Sequence, residues 1–513
     1  MFLFLKSCKN NKKCNFARQY FKNMIHGFFL YTFRFLREVK IKWLACLFLY
    51  TATVAAQSAP ATLQNRIDRL LGNDFFQRAT VGVSVYDLTD QKPMYAFNEK
   101  RLCRPASNMK LLTSAAALSV LTPDYIFKTG LYYTGTVDET GRLLGDIYLS
   151  GGFDPELKSS DLDSLILLVK KAGINNIEGN LYLDASMADS VFWGKAWSWD
   201  DDMEAFQPYL SPIPLNKGVM KLKVIPASPG RAPIISTDPK SSFIQVVNRA
   251  TTVWKSSEPP KKSLRFSREY NGRSNQITVS GTIAASAGTY TTTISLKKPY
   301  GYALTVFSEK MTEQFPESNI RVIGLGRVPA DAKNLGFATH TIAEVIRQLN
   351  KDSDNLNAEM LLYTLGYQQG SVPSSTEKGI AAAHQLIEQL GFNPKAYSVV
   401  DGSGLSNQNY LSPELLVAVL KYMHQSSDFD MFRKSLPISG EDGTLTHRMK
   451  GSSAYRKVTA KTGSLTGVSA LSGYITDRNG HLLAFSIMIQ NFTERTSYVS
   501  VNYIDKICEI LAE

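Results

Sequence analysis

In PASNMK, residues 105–110, Ser107 and Lys110 stand three positions apart, the spacing of a nucleophile and its base. Residues three apart share one face of a helix, and a serine hydroxyl attacks a carbonyl only once a neighbour takes its proton. A lysine accepts that proton only as the neutral amine, so its pKa must fall. Partial burial, a helix's positive end and a second cation such as Lys461 all push that way. Spacing alone decides little, because S-x-x-K recurs at Ser295–Lys298 and Ser375–Lys378. Two later elements add weight: SDN at Ser353, Asp354 and Asn355, and KTG at Lys461, Thr462 and Gly463. Another KTG, at Lys128–Gly130, precedes SDN and is out of order.

The elements that must hold these residues can be read from periodicity. Residues 60–72 have helical spacing, with Leu63, Ile67, Leu70 and Leu71 on one face. Val81, Val83 and Val85 alternate, the chain turns at DLTDQKP, and Tyr95 and Phe97 lie on the return, which predicts a hairpin. SNMKLLTSAAALSVL predicts a helix with Ser107 at or just before its first turn, stopped by TPD at 122–124. From about Tyr125 to Leu335 the texture is strands and turns, with one clear helix at 162–173 and a loop at 255–263. Helices resume on both sides of SDN; KTG precedes two strand-like runs, and a last helix starts near Tyr498. The helix–hairpin–helix start and the C-terminal part must pack together, because neither holds a full sheet.

The ordered set S-x-x-K, SDN, KTG is a recognised signature of penicillin-interactive serine enzymes. GGFDPEL (151–157), WSWDD (197–201), DGSGLS (401–406), LPISGEDGTLTHR (436–448) and KTGSLTGVSALSGY (461–474) narrow it. With them the chain resembles the D-alanyl-D-alanine carboxypeptidase/endopeptidases, the class C low-molecular-mass penicillin-binding proteins, over residues 57–513. The resemblance implies an α/β (α+β) transpeptidase/β-lactamase-like domain, an antiparallel sheet flanked by helices, with a large β-rich insertion. The expected division is a leader at 1–56, catalytic parts at 57–124 and 336–513, and an inserted region of one or two modules at 125–335. It also implies an acyl-enzyme at Ser107 with Lys110 as base, and no cofactor. Ser353 would relay the proton to the leaving amine and Asn355 would hold the substrate backbone. Lys461, Thr462 and Gly463 would bind the terminal carboxylate, with the amides of Ser107 and Ser464 as oxyanion hole. The implied ligands are peptidoglycan stem peptides and β-lactams. A serine β-lactamase shares the three motifs, but the long insertion argues against it; intact Ser107, Lys110, Ser353, Asn355 and Lys461 argue against an inactive scaffold.

The chain departs from the family pattern where the side chain of the stem peptide's third residue would lie. Asn407 follows DGSGLS in place of the usual arginine, and Thr466 stands where some relatives carry glutamine. Asp201 is then the remaining charged candidate, able to hold an amino group. Asp354 is expected to shape its turn, and His447 to be packed or hydrogen-bonded. Trp197 and Trp199 read equally as packing or as a substrate wall.

The formal charge of +12 does not describe a nucleic-acid binder, since residues 1–56 hold ten Lys or Arg against Glu38 alone. Arg37, Lys40 and Lys42 precede an apolar run from Trp43 to Val54, with small residues at 54–56: an export signal, placing the protein in the periplasm or cell envelope. Beyond it Cys103 and Cys508 remain, too few for a disulfide framework and best read as buried thiols. With no H-x-x-H, H-E-x-x-H or C-x-x-C, a metal site has no support. Nothing in the sequence speaks to oligomeric state or to cell-wall assembly partners.

Overall fold

The computed structural model describes residues 19, 20, 22–27, 62–269 and 275–513. The expected export segment around Trp43 to Val54 lies outside the described residues. Among those described, no helix is long and apolar enough to cross a membrane. Met1–Arg66 forms a unit of its own, and Ile67–Glu513 forms a second compact unit.

In chain order the structure runs α1 (Leu63–Leu71), β1 (Thr80–Asp87), β2 (Lys92–Phe97) and α2 (Met109–Leu121), the expected helix, hairpin and helix. Then follow β3 (Ile126–Tyr133), β4 (Thr136–Val137), β5 (Arg142–Leu144), β6 (Ile147–Ser150), α3 (Ser159–Lys171) and β7 (Asn176–Asp184). Next come β8 (Val219–Ile225), β9 (Ile234–Asp238), β10 (Gln245–Val253), β11 (Leu264–Arg268), β12 (Gln276–Ala284) and β13 (Tyr290–Ser295). After α4 (Pro299–Gln314) lie β14 (Asn319–Leu325) and β15 (Lys333–Thr341). The remainder is α5 (Ile342–Lys351), α6 (Asn355–Gln368), α7 (Thr376–Gln389), α8 (Pro413–Gln425), α9 (Phe429–Ser435), β16 (Val458–Leu465), β17 (Val468–Thr476), β18 (Leu482–Gln490) and α10 (Asp505–Leu511).

The first hairpin completes its sheet with the far end of the chain. β1 pairs antiparallel with β18, Thr80 opposite Gln490, giving an antiparallel sheet in the order β16-β17-β18-β1-β2. Every residue of β18 after Leu482 is buried, as befits a central strand covered on both faces. Helix α2 packs against α5, α6, α7 and α8 and is buried almost all round. A helix apolar on every side belongs in a core, and this one carries Lys110 into the core with it.

The β-rich segment has its own apolar core and a mixed seven-stranded sheet, β15-β3-β6-β7-β5-β4 with β14 alongside β7. Two three-stranded sheets, β13-β8-β9 and β10-β12-β11, pack on the same core. Its first and last strands are antiparallel neighbours, Ile126 opposite Thr341. The chain therefore leaves α2 and returns to α5 at one place, and the sheet runs past residue 335. Helix α4 was not expected from the sequence. A small cluster of Phe153, Trp197 and Leu210 against Leu356, Met360 and Tyr363 of α6 joins this segment to the helices.

Candidate active site

A helical turn, Ala106–Asn108, opens directly into α2 and sets Ser107 at the rim of a cleft of about 730 Å³. Lys110 lies one turn deeper with no exposed surface. Its Nζ donates to Ser107 Oγ at 3.0 Å, to Asn355 Oδ1 at 2.6 Å and to the Ser403 carbonyl at 2.7 Å. Burial pushes the Lys110 pKa down to about 8, against the carboxyl groups of Asp401, Glu359 and Asp354, which hold it up. Burial here is complete, where partial burial was expected. The second cation also acts differently from expectation: burial and then the Lys110 charge hold Lys461 well below the usual lysine range.

Lys461 is likewise fully buried. It donates to Ser353 Oγ at 2.9 Å and to the Thr462 carbonyl at 3.0 Å. It stands on β16, whose backbone passes against the serine turn. A Cβ on Gly463 would lie 2.7 Å from the Pro105 carbonyl oxygen, so the third KTG position has room only for hydrogen. Asn108 ties the same turn to the sheet, its amide nitrogen 2.8 Å from Ser472 Oγ on β17.

Asn355 begins α6, and Asp354 caps that helix by accepting from the Asn357 amide at 3.0 Å. The Asn355 amide is already engaged: Oδ1 takes Lys110, and Nδ2 donates to the Phe206 carbonyl at 2.6 Å. One N–H of that nitrogen remains for a substrate carbonyl.

Of the eleven expected site residues, Ser107, Asp201, Ser353, Asn355, Asn407, Thr462, Ser464 and Thr466 line the cleft. Lys110, Lys461 and Gly463 are buried. Asn407 is exposed and accepts from Arg104 Nη1 at 3.4 Å, so a cation stands beside the position where the family arginine is missing. Burial, then the neighbouring Asp200, raises the Asp201 pKa. The two tryptophans part company: Trp197 is buried with Nε1 2.8 Å from Asp401 Oδ2, whereas Trp199 is exposed. His447 is exposed rather than packed.

Sequence reasoning missed Glu359. It lies one turn beyond Asn355 on α6, fully buried, accepting from the amides of Gly402 at 3.1 Å and Ser403 at 2.9 Å. Those bonds fix the backbone just ahead of the Ser403 carbonyl that faces Lys110. Burial, then the charge of Asp401, raises its pKa to about 8. Asp401 holds the same DGSG turn from within, accepting from Gly404 N at 2.8 Å and Ser406 N at 2.6 Å. Gly404, at φ +84°, would put a Cβ 1.9 Å from the Ala106 carbonyl oxygen. The signal for Glu359 was a lone acid in the apolar run NAEMLLYTLG, four positions after Asn355.

Cys103 and Cys508 are free and buried. Among the described residues one trio, Asp87, Asp90 and His481, brings potential metal-ligand atoms within 4.8 Å of one another. Asp87 and Asp90 stand at the β1–β2 turn, where Asp87 also caps the amides of Thr89 and Asp90, and His481 precedes β18.

The family model described as D-Ala-D-Ala carboxypeptidase 3 (S13) family matches residues 63–513. A D-alanyl-D-alanine carboxypeptidase of Actinomadura sp. (strain R39) is 32% identical over 445 residues, covering 83% of this chain and 80% of the relative. The crystal structure of penicillin binding protein 4 from Haemophilus influenzae superposes with a TM-score of 0.74 at 25% identity, covering 85% of this chain and 98% of that one. A structure of the same Haemophilus protein complexed with a β-lactam gives a TM-score of 0.67 at 23% identity, covering 86% and 98%.

Proposed function

The chain belongs to the D-Ala-D-Ala carboxypeptidase 3 (S13) family and is a serine-type D-Ala-D-Ala carboxypeptidase; from that premise we propose that it works on peptidoglycan stem peptides through an acyl-enzyme at Ser107. One observation carries the site assignment: Ser107 Oγ lies 3.0 Å from Lys110 Nζ, and that buried amine has a pKa of about 8. At pH 7 roughly a tenth of such sites hold a neutral lysine ready to accept a proton.

In this reading neutral Lys110 takes the Ser107 proton as Oγ attacks the carbonyl of the penultimate D-Ala. The amides of Ser107 and Ser464 stabilise the oxyanion, each such donor contributing roughly 3 kcal/mol. Collapse breaks the peptide bond, and the departing amine of the terminal D-Ala takes its proton through Ser353, whose Oγ is held by Lys461. Water then cleaves the ester, returning Ser107 and releasing the shortened stem. A β-lactam follows the same first half, but its opened ring stays attached and the ester persists. Lys461 and Thr462 hold the terminal carboxylate, and Thr462 Oγ1 is itself steadied by Thr444 at 2.8 Å.

Cleavage of D-Ala-linked cross-bridges belongs to the same proposal, as does export to the periplasm or envelope, where the substrate is found. Residues 57–124 and 336–513 would form the catalytic domain and 125–335 the insertion. Incubation with a defined cross-linked muropeptide, read by mass, is the test. Loss of terminal D-Ala with conversion of dimers to monomers is the expected result; untouched stem peptides would contradict the proposal.

A further inference from the structure

Ser353 stands at φ +61°, a left-handed conformation that a residue with a side chain keeps only where its surroundings impose it. Beside it, three groups converge on one cation from the β-rich segment. Lys217 Nζ lies 2.7 Å from Glu156 Oε1, 2.5 Å from Asn357 Oδ1 and 3.4 Å from Asp354 Oδ2. The Asn357 amide nitrogen in turn donates to Glu156 Oε1 at 2.7 Å and to the Val345 carbonyl at 2.9 Å. Asp354 is the middle residue of SDN, and Asn357 is the residue whose amide it caps.

The turn that presents Lys217 is unusual in the same way. Asn216 and Lys217 are both left-handed, at φ +51° and +63°. Asn216 Nδ2 anchors the turn to Ser159 Oγ at 2.7 Å and Tyr302 Oη at 2.8 Å, and its backbone N–H to the Leu157 carbonyl at 2.8 Å. Two left-handed turns, one on each side, are thus joined through a single ammonium group.

We propose that Lys217 is a positioning residue through which the β-rich segment holds the SDN turn, and with it Ser353 and Asn355, in reacting geometry. The proposal rests on the reading of Ser353 as proton relay. It also carries an electrostatic consequence. The charged groups around Lys110 are Asp401 in the DGSG turn, Glu359 on α6 and Asp354 in the SDN turn, which hold its pKa up against burial, and Lys461 on β16, whose own pKa burial and then the Lys110 charge lower. The Lys217 ammonium cancels part of the Asp354 field. Without it, Lys110 keeps its proton to higher pH.

The test measures the second-order rate of penicillin acylation against pH, with melting temperature, for the full chain and five variants. These are Lys217→Met, Lys217→Arg, Asp354→Asn, the double variant Lys217→Met/Asp354→Asn, and Ser353→Ala. Lys217→Met is expected to acylate roughly tenfold more slowly at neutral pH, an effect of the size contacting residues show in coupling experiments. Its pH midpoint should move upward, and Lys217→Arg should restore most of the rate. Asp354→Asn removes the same ion pair from the other side and should move the midpoint downward. That sign checks the Asp354 field, and the melting temperature separates poor folding of Lys217→Met from loss of positioning. Adding Lys217→Met to Asp354→Asn should move the midpoint back up by a similar step, because the two fields add at Lys110. A Lys217→Met rate within twofold of the parent with an unmoved midpoint overturns the proposal. A parental rate in Ser353→Ala overturns the relay reading and this proposal with it. Loss in Ser353→Ala with none in Lys217→Met overturns this proposal alone.

Discussion

In the β-rich segment, Arg268, whose side chain is fully buried, donates to Asp202 at 2.8 Å, and His340 Nδ1 lies 2.7 Å from Asp154. Around α2 the two fully buried lysines are held differently: Lys110 by a hydroxyl, an amide oxygen and a backbone carbonyl, Lys461 by a hydroxyl and a carbonyl. A buried cation beside its counter-ion keeps its proton and serves structure. One held by neutral oxygens loses part of its hold on the proton, because desolvation penalises only the charged form. In the proposed mechanism that difference separates a region held for stability from one poised for proton transfer.

The largest expected effect separates the two regions outright. Lys110→Ala should slow penicillin acylation by about 10²–10⁴-fold, the range for losing a general base. Arg268→Ala leaves Asp202 with Lys297 at 3.3 Å and the Tyr209 hydroxyl but without its guanidinium, and should cost about 1.5–3 kcal/mol of stability. Stopped-flow acylation and chemical denaturation of both variants check this. A large acylation defect in still-folded Arg268→Ala would erase the distinction.

The pH dependence sharpens it. Burial lowers the Lys110 pKa to about 8, and in the proposed mechanism Lys110 serves as base only when neutral. Acylation should therefore rise with pH, about tenfold per unit below the midpoint, and level off above about 8. Glu359 titrates near the same pH, so the observed midpoint belongs to the pair. Glu359→Gln removes a negative charge facing Lys110 and should move the midpoint down. An upward movement would show that Glu359 does not act through that charge.

Smaller effects are expected at the cleft rim. Asn407 accepts from Arg104, so a cation is present, but one already engaged by a neutral partner. Stem peptides with diaminopimelate or lysine at the third position should turn over within about tenfold of each other, since the difference rests on one exposed charge contact. An acylated lysine, which loses the amine facing Asp201, should be slower than both. A lysine peptide cleaved a hundredfold more slowly than the diaminopimelate one would mean that Arg104 binds the carboxylate as strongly as a dedicated arginine.

The legible parts of this chain were those with local rules. The hairpin Thr80–Phe97, the helix after Ser107 and the three motifs each show in a short window, and the need to pair the two ends followed from counting strands. Helix α4 was missed although Tyr302, Ala303, Val306 and Phe307 repeat with helical spacing. Pro299 falls in its first turn, where proline is well tolerated. Glu359 and Lys217 were out of reach for another reason. Each acts on residues distant in sequence, Glu359 on the 402–403 peptide and Lys217 on the SDN turn, and only the folded chain makes them neighbours. The Trp197–Trp199 pair shows the same limit, because one ring goes inward to Asp401 and the other to solvent.

The central claim is that a buried lysine arms Ser107 for acyl transfer, and intact-mass analysis after exposure to penicillin addresses it most directly. The parent chain should carry a single stable adduct, and Ser107→Ala should carry none. An adduct that survives in Ser107→Ala, or one that the parent sheds within seconds, would contradict the account.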